Sequence, residues 1–271
     1  MAYLKRSATW PDPRVKPALG AAQINWGHAL AGPSLTGYWL FHAGGLRNLA
    51  GRSPAAILSE SLFGPSPLGP ALIHGETTDV TTLASNSSLL LPTQGITIAL
   101  EYRKRDSTNR SSQAISMNGT VQAEKCDVWL PFSDGVVYWD FGGQVENTTR
   151  ESVSGLTVTG PHIWVFTSGP RGMEIWQDGI LRSSNTANPS RTSSTTAYKL
   201  GSGGETAGDN ADYGWVYINQ RQLTLDQCRQ LSLEPFALLQ PIIRRRYVVP
   251  APTVAKVTYQ PYYQIAPLVA Q

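Results

Sequence analysis

Charge is scarce in this chain: only 15% of its 271 residues are Asp, Glu, Lys or Arg. The formal balance is +3, too diffuse to mark a nucleic-acid binder. Basic residues cluster only as RKR at 103–105 and RRR at 244–246, the first read as a solvated strand end. Cysteine is nearly absent. Cys126 and Cys228 form no C-x-x-C pair and are expected to be separate reduced thiols packed as small hydrophobes. No apolar run approaches the ~20 residues of a membrane span. The opening MAYLKRSATWPDPRVKP holds no apolar segment of signal-peptide type, so the expectation is synthesis and retention in the cytosol unless the chain leaves inside an assembly. A G-x-S-x-G elbow and a phosphate-cradling loop are missing, and His28, His42, His74 and His162 show no metal-ligand spacing.

Turn formers and aromatics, by contrast, are abundant. The chain has 25 Gly and 19 Pro, with 8 Trp and 11 Tyr that need a core to bury them. Many short strands joined by turns produce this mixture. GITIALEYRKR at 95–105 alternates, with Ile96, Ile98, Leu100 and Tyr102 on one face and Thr97, Ala99 and Glu101 on the other. That is the pattern of a strand with one face buried. GYWLF at 37–41, SLLLP at 88–92, SQAISMNG at 112–119, KCDVWLPF at 125–132 and GVVYWDFGG at 135–143 read as further strands. HIWVFTSG and GMEIWQDGILRSS form a meander, turned by Gly169-Pro170-Arg171-Gly172 and by Asp178-Gly179. YKLGSGG at 198–204 and YGWVYINQ at 213–220 complete the set, and 52–75 is broken by proline and glycine, with a short strand expected at 71–74.

One short helix follows the last strand. Thr224 and Gln227 have capping-box spacing, Leu225, Cys228 and Leu231 form an apolar stripe, and Pro235 ends the run. Two turns are too short to be stable alone, so this helix is expected to cover a sheet. The whole reads as two antiparallel sheets packed face to face in one domain over 26–240, between an extended arm at 1–25 and another at 241–271.

Three pieces carry a resemblance: Trp164-Val165-Phe166-Thr167 with Ile175-Trp176-Gln177-Asp178-Gly179; Leu200-Gly201; and Gly214 to Thr224, GWVYINQRQLT. They resemble the C-terminal half of a laminin-G-like, concanavalin-A-like jelly roll. Asn25-Trp26-Gly27-His28-Ala29-Leu30-Ala31, Gly37 to Phe41, and Leu233 to Pro241 resemble the ends of such domains in tailed-phage and prophage proteins. The likeness spans 26–241 and leaves out 52–90. It implies an all-β jelly-roll sandwich with one short C-terminal helix.

It also suggests chemistry to look for. Some enzymes on this fold carry carboxylates at i, i+2 and i+4; the nearest match, Glu174-Ile175-Trp176-Gln177-Asp178, has Trp176 at the centre and reads as a hairpin strand. Laminin-G-like domains sometimes hold calcium at loop tips, and Asp209 and Asp212 place hard oxygen ligands in a loop. No other cofactor is expected. Carbohydrate binding would need exposed aromatics, yet Trp129, Trp139, Trp164, Trp176 and Trp215 all fall on strands and are expected to be mostly core.

The closing stretch, 241–271, mixes five prolines with Val248-Val249 and Tyr262-Tyr263, and is too apolar for a solvated tail. It reads as an intersubunit arm, with Arg244, Arg245, Arg246, Tyr247, Tyr259, Tyr262 and Tyr263 as partner-binding residues. The resulting expectation is a non-enzymatic virion structural protein of a tailed phage, made in the host cytoplasm. It would be a capsid decoration (cement) protein or a tail or fibre component, homo-oligomeric and bound to other virion proteins rather than to nucleic acid or membrane. The alternative is a carbohydrate-binding adhesin module for a host glycan; a polysaccharide-degrading enzyme ranks third.

Overall fold

The computed structural model describes residues 10–18, 20–42, 47–51, 57–59, 62–75, 80–83, 95–117, 121–192, 198–201 and 208–242. In chain order the strands are β1 (Ala22–Ile24), β2 (Leu35–Leu40), β3 (Ile57–Ser59), β4 (Leu62–Ser66), β5 (Gly69–Ile73), β6 (Val80–Thr82), β7 (Ile96–Lys104), β8 (Ile115–Ser116) and β9 (Cys126–Trp129). They continue as β10 (Val137–Phe141), β11 (Arg150–Val153), β12 (Gly160–Gly169), β13 (Gly172–Gln177), β14 (Ile180–Ser184), β15 (Lys199–Gly201), β16 (Ala211–Asn219) and β17 (Leu239–Pro241), with helix α1 (Leu225–Leu233) before the last. The expected all-β jelly-roll sandwich is what forms. The stretch 88–92 lies outside the described residues.

The larger sheet has eight strands, in the order β14-β13-β12-β7-β16-β5-β4, with β2 also paired to β16. The smaller has seven, β11-β10-β9-β8-β15-β6-β3. Named strands within each sheet pair antiparallel. Between the sheets lie Ile96, Ile98, Leu100, Trp164, Phe166 and Ile175 from one and Val128, Val137, Trp139, Phe141 and Leu200 from the other. Polar tips of core aromatics stitch the layers together. Trp139 Nε1 donates to the Thr167 carbonyl at 2.9 Å, and Tyr213 donates through its hydroxyl to the Ala114 carbonyl at 2.8 Å. Each satisfies a group whose burial would otherwise be costly.

The alternation in β7 was expected to bury one face only. Both are buried: Thr97 and Ala99 are as inaccessible as Ile96 and Ile98. A third layer explains this. Ala99, Val165, Trp176, Trp215 and Tyr217 pack under Leu30, Leu35, Leu223, Cys228, Leu231 and Phe236. Tyr217 and Tyr38 hold that cover through hydroxyl bonds to the Leu30 carbonyl (2.6 Å) and the Pro235 carbonyl (2.8 Å). The helix therefore completes the burial of a sheet face, as its shortness implies. Its capping box forms as expected, with Gln227 N donating to Thr224 Oγ1 at 3.3 Å and Thr224 N to Gln227 Oε1 at 3.1 Å. Cys228 and Leu231 of the expected stripe are buried, with Ser232 beside them, while Leu225 is 48% exposed.

The described part of the N-terminal segment lies along its own domain. β1 pairs with β17, and Trp10 N donates to the Leu239 carbonyl at 2.8 Å. Lys16 Nζ donates to the carbonyls of Phe41 and Pro70, both at 2.7 Å. β1 thus lies inside the segment expected to be an N-terminal arm, and β17 crosses the expected boundary between 240 and 241. The run 243–271, with Arg244, Arg245, Arg246, Tyr247, Tyr259, Tyr262 and Tyr263, lies outside the described residues.

Candidate functional site on the outer face of the smaller sheet

Alternation in β8, β9 and β10 sends Ile115, Cys126, Val128, Val137, Trp139 and Phe141 inward. The intervening residues therefore face out. Strand register aligns them across the sheet: Lys199 opposite Ser116, Ser116 opposite Asp127, Asp127 opposite Asp140, and Asp140 opposite Arg150. The result is a transverse polar row on the outward face of the smaller sheet, with Ser116, Asp127 and Asp140 fully buried and Lys199 and Arg150 half-buried at its ends.

At one end of the row the polar groups are fully engaged. Arg150 grips Asp140 with two bonds, 2.6 and 2.7 Å, and Trp129 Nε1 donates to the same carboxylate at 3.1 Å. Burial opposes the Arg150 charge, but the Asp140 carboxylate more than restores it. The guanidinium lies 4.2 Å from the centre of the Tyr138 ring, a cation–π contact. Phe132 meets Trp129 edge-on at 4.9 Å and Tyr138 at 6.1 Å, and the Tyr138 hydroxyl donates to Asp134 Oδ2 at 2.7 Å. Phe132, Tyr138 and Arg150 are half-buried, and Asp134 is exposed. Further along, Asp127 is fully buried. Desolvation first, then the neighbouring Asp140, pushes its carboxyl up to about 7. Met117 N donates to one of its oxygens at 3.3 Å; the other oxygen and Ser116 Oγ have no hydrogen-bond partner.

This surface sets two half-exposed aromatic rings, one face of Tyr138 being taken by Arg150, beside carboxylates and a guanidinium. Such a combination can stack the C–H face of a sugar ring while bonding its hydroxyls. The tryptophans follow expectation in being mostly core; Trp129, although buried, belongs to this outward cluster. The platform was not readable from the sequence, because Tyr138 and Asp140 sit within the same aromatic run as Trp139 and Phe141. Only register shows which of them share a face with Arg150.

Other expected sites resolve differently. Asp212 accepts from Arg103 at 2.9 Å, Arg105 Nε at 2.7 Å and Ser66 at 2.6 Å. Asp209 is buried, accepts from the Tyr213 hydroxyl and lies 3.4 Å from His74 Nδ1. The two carboxylates expected to hold calcium are thus turned to separate protein partners. Among the described residues no group of three His, Cys, Asp or Glu is arranged to hold a metal. The RKR cluster at 103–105 is not simply solvated either, since its arginines clamp Asp212 and Lys104 is buried, which lowers the lysine pKa. Glu174 is a buried anchor, bonded by Thr167 at 3.0 Å and Trp176 Nε1 at 3.1 Å. Asp178 sits apart from it in the turn, at φ 52°, 2.7 Å from His162.

No family model and no curated protein matches the chain. Solved structures do. Domain 4 of AbnA, a GH43 extracellular arabinanase from Geobacillus stearothermophilus in complex with arabinotriose, aligns with a TM-score of 0.58 at 12% identity, over 73% of this chain and 98% of that one. The binding domain of Botulinum neurotoxin DC in complex with SialylT gives 0.55 at 12%, over 74% and 51%. Trypanosoma rangeli sialidase in complex with sialic acid gives 0.52 at 12%, over 77% of this chain and 34% of its own. The chain therefore spans about a third of the sialidase's length. At these identities the likeness is one of fold.

Two expectations change as a result. The reading as a non-enzyme does not stand, because the fold is shared with a sialidase and with a domain of an arabinanase. The virion role finds no support in these neighbours, which are instead proteins seen with sugars.

Proposed function

We propose that this chain is a glycan-recognising β-sandwich module that receives its ligand on the outer face of the smaller sheet. The observation that carries the reading is the half-buried pair Phe132 and Tyr138, set beside Arg150 and Asp134 on an otherwise polar sheet face. An aromatic floor supplies stacking that water cannot compete for, and the charged rim supplies direction. The shared fold with sugar-bound domains supports the same reading. It favours the adhesin alternative over the virion one.

The test is binding of the full-length chain to an array of arabino- and sialo-oligosaccharides, followed by calorimetry on any hit. Tyr138→Ala should weaken binding by about tenfold or more, ~1.4 kcal/mol, with an unchanged melting curve. Binding that survives both Tyr138→Ala and Phe132→Ala would place the ligand elsewhere and end this assignment.

A further inference from the structure

A second cleft, of about 220 Å³, lies beside the covering layer of the larger sheet, away from the polar row. Ala22, Leu40, Leu49 and Ile242 give it apolar walls, and His42 and Arg47 supply its ionisable groups. No carboxylate lines it among the described residues. His42 is only 8% exposed, and its Nε2 has no hydrogen-bond partner. The backbone carbonyl of Pro17 accepts from the other side of the ring. One imidazole nitrogen is thereby held in place, and the other is left uncommitted. Leaving a buried polar atom without a partner is destabilising, a cost that a ligand group can recover.

The ionisable groups that line the cleft are both basic, and the one carboxyl that reaches this region electrostatically among the described residues, Glu101, acts on Lys16 behind it. Arg47 is exposed at the lining. Lys16 raises the positive potential at His42, while two of its three donors are held by the carbonyls of Phe41 and Pro70. Lys16 therefore contributes field rather than contact. An anion would gain from Arg47 and the field of Lys16, and from His42 once that imidazole, whose pKa burial and then Lys16 lower, takes up a proton; its non-polar part would displace water from the Leu40 and Leu49 walls.

We propose that this cleft binds a small carboxylate with an apolar body, its head group directed to Arg47 and His42 Nε2. A volume of about 220 Å³ suits a compact branched or aromatic acid rather than an oligosaccharide. As the anion enters, the imidazole takes up a proton and becomes a donor. The site is separate from the sugar-facing surface, and does not depend on it.

Titration of the full-length chain with benzoate and isovalerate, followed by the ring nitrogen resonances of the histidines, tests this. Saturable movement of the His42 signals is expected, with benzamide binding at least about tenfold more weakly because it lacks the charge. Arg47→Gln should weaken benzoate by about five- to tenfold. Since Arg47 is exposed, that variant should fold normally even if His42→Gln does not. Tyr138→Ala should leave benzoate binding unchanged, so loss of glycan binding and loss of carboxylate binding remain distinguishable. No saturable shift with either acid, equal binding of benzamide, or full affinity in Arg47→Gln would each overturn the proposal; a cleft already filled by the chain itself would give the first of these results.

Discussion

The outward residues of β7, β12 and β16 include Thr97, Ala99, Val165, Trp215 and Tyr217, whereas those of β8, β9 and β10 are Ser116, Asp127, Trp129, Tyr138 and Asp140. Both sets alternate with a shared inner core, yet they meet different surroundings. The apolar set needs a cover, and receives one from α1, β1 and the segments around them. Of the mixed set, Ser116, Asp127, Trp129 and Asp140 are buried too and Tyr138 is half-buried; the set is bonded in part, through Arg150, Asp134 and its own aromatic edges. The comparison teaches where function has room. The apolar face is spent on stability, and on the mixed face only the end built by Phe132, Tyr138, Asp134 and Arg150 keeps exposed or half-exposed side chains for recognition.

The largest effect should come from the core that both sheets share. Trp139→Ala removes a fully buried ring and its bond to the Thr167 carbonyl, at a cost of about 4 kcal/mol. Leu231→Ala in the cover should cost less, ~2–3 kcal/mol. Urea midpoints would rank the two. If the helix variant proved as costly as the core variant, the cover would be integral to the sandwich and the distinction between the faces would collapse.

A smaller effect, of opposite sign, should appear on the polar face. Asp127 ionises near 3.8 when unfolded and near 7 in the fold. Between those values the unfolded chain releases a proton that the native state keeps, so rising pH lowers stability up to about 7 and no further. Asn carries no such proton. Asp127→Asn should therefore be more stable than the parent at pH 8, by about 2 kcal/mol once the extra amide donor is accommodated, with little gain at pH 4. Glu101, also raised to about 7 by burial against the pull of Lys16, keeps the same slope in both proteins and cancels in the difference. Equal urea midpoints for variant and parent at pH 8 would show that Asp127 is better solvated than its position implies.

Much of the fold was legible because its signals are local. The alternation of 95–105, the Asp178-Gly179 turn and the Thr224–Gln227 spacing each act within a few residues, and each appears where expected. The third layer was not, because nothing local distinguishes Ala99 facing solvent from Ala99 under a helix more than a hundred residues later in the chain. The same holds for the candidate site. Asp140 and Arg150 meet only through the β10–β11 register, and Asp127 meets Asp140 only through β9–β10. The Asp209 and Asp212 pair looked like a cation loop for the converse reason: their proximity in sequence concealed that Arg103, Arg105 and Tyr213 would claim them.

The smallest effect sharpens the role of the cover itself. Thr224 Oγ1 accepts from Gln227 N and Thr224 N donates to Gln227 Oε1 in return, so two backbone donors at the start of α1 are satisfied by one reciprocal pair. Thr224→Ala should cost about 1 kcal/mol. Thr224 is exposed and touches neither the inter-sheet core nor the polar row, so glycan binding should not change. A helix that only caps a finished sandwich would show the loss as local fraying, with faster exchange in α1 and an unmoved global midpoint. A helix whose burial of Cys228 and Leu231 is part of the cooperative unit would move the midpoint by the full amount. The continuous packing of Leu231 with Trp215 and Tyr217 in one cluster favours the second outcome, and measuring both exchange and midpoint on this variant separates them.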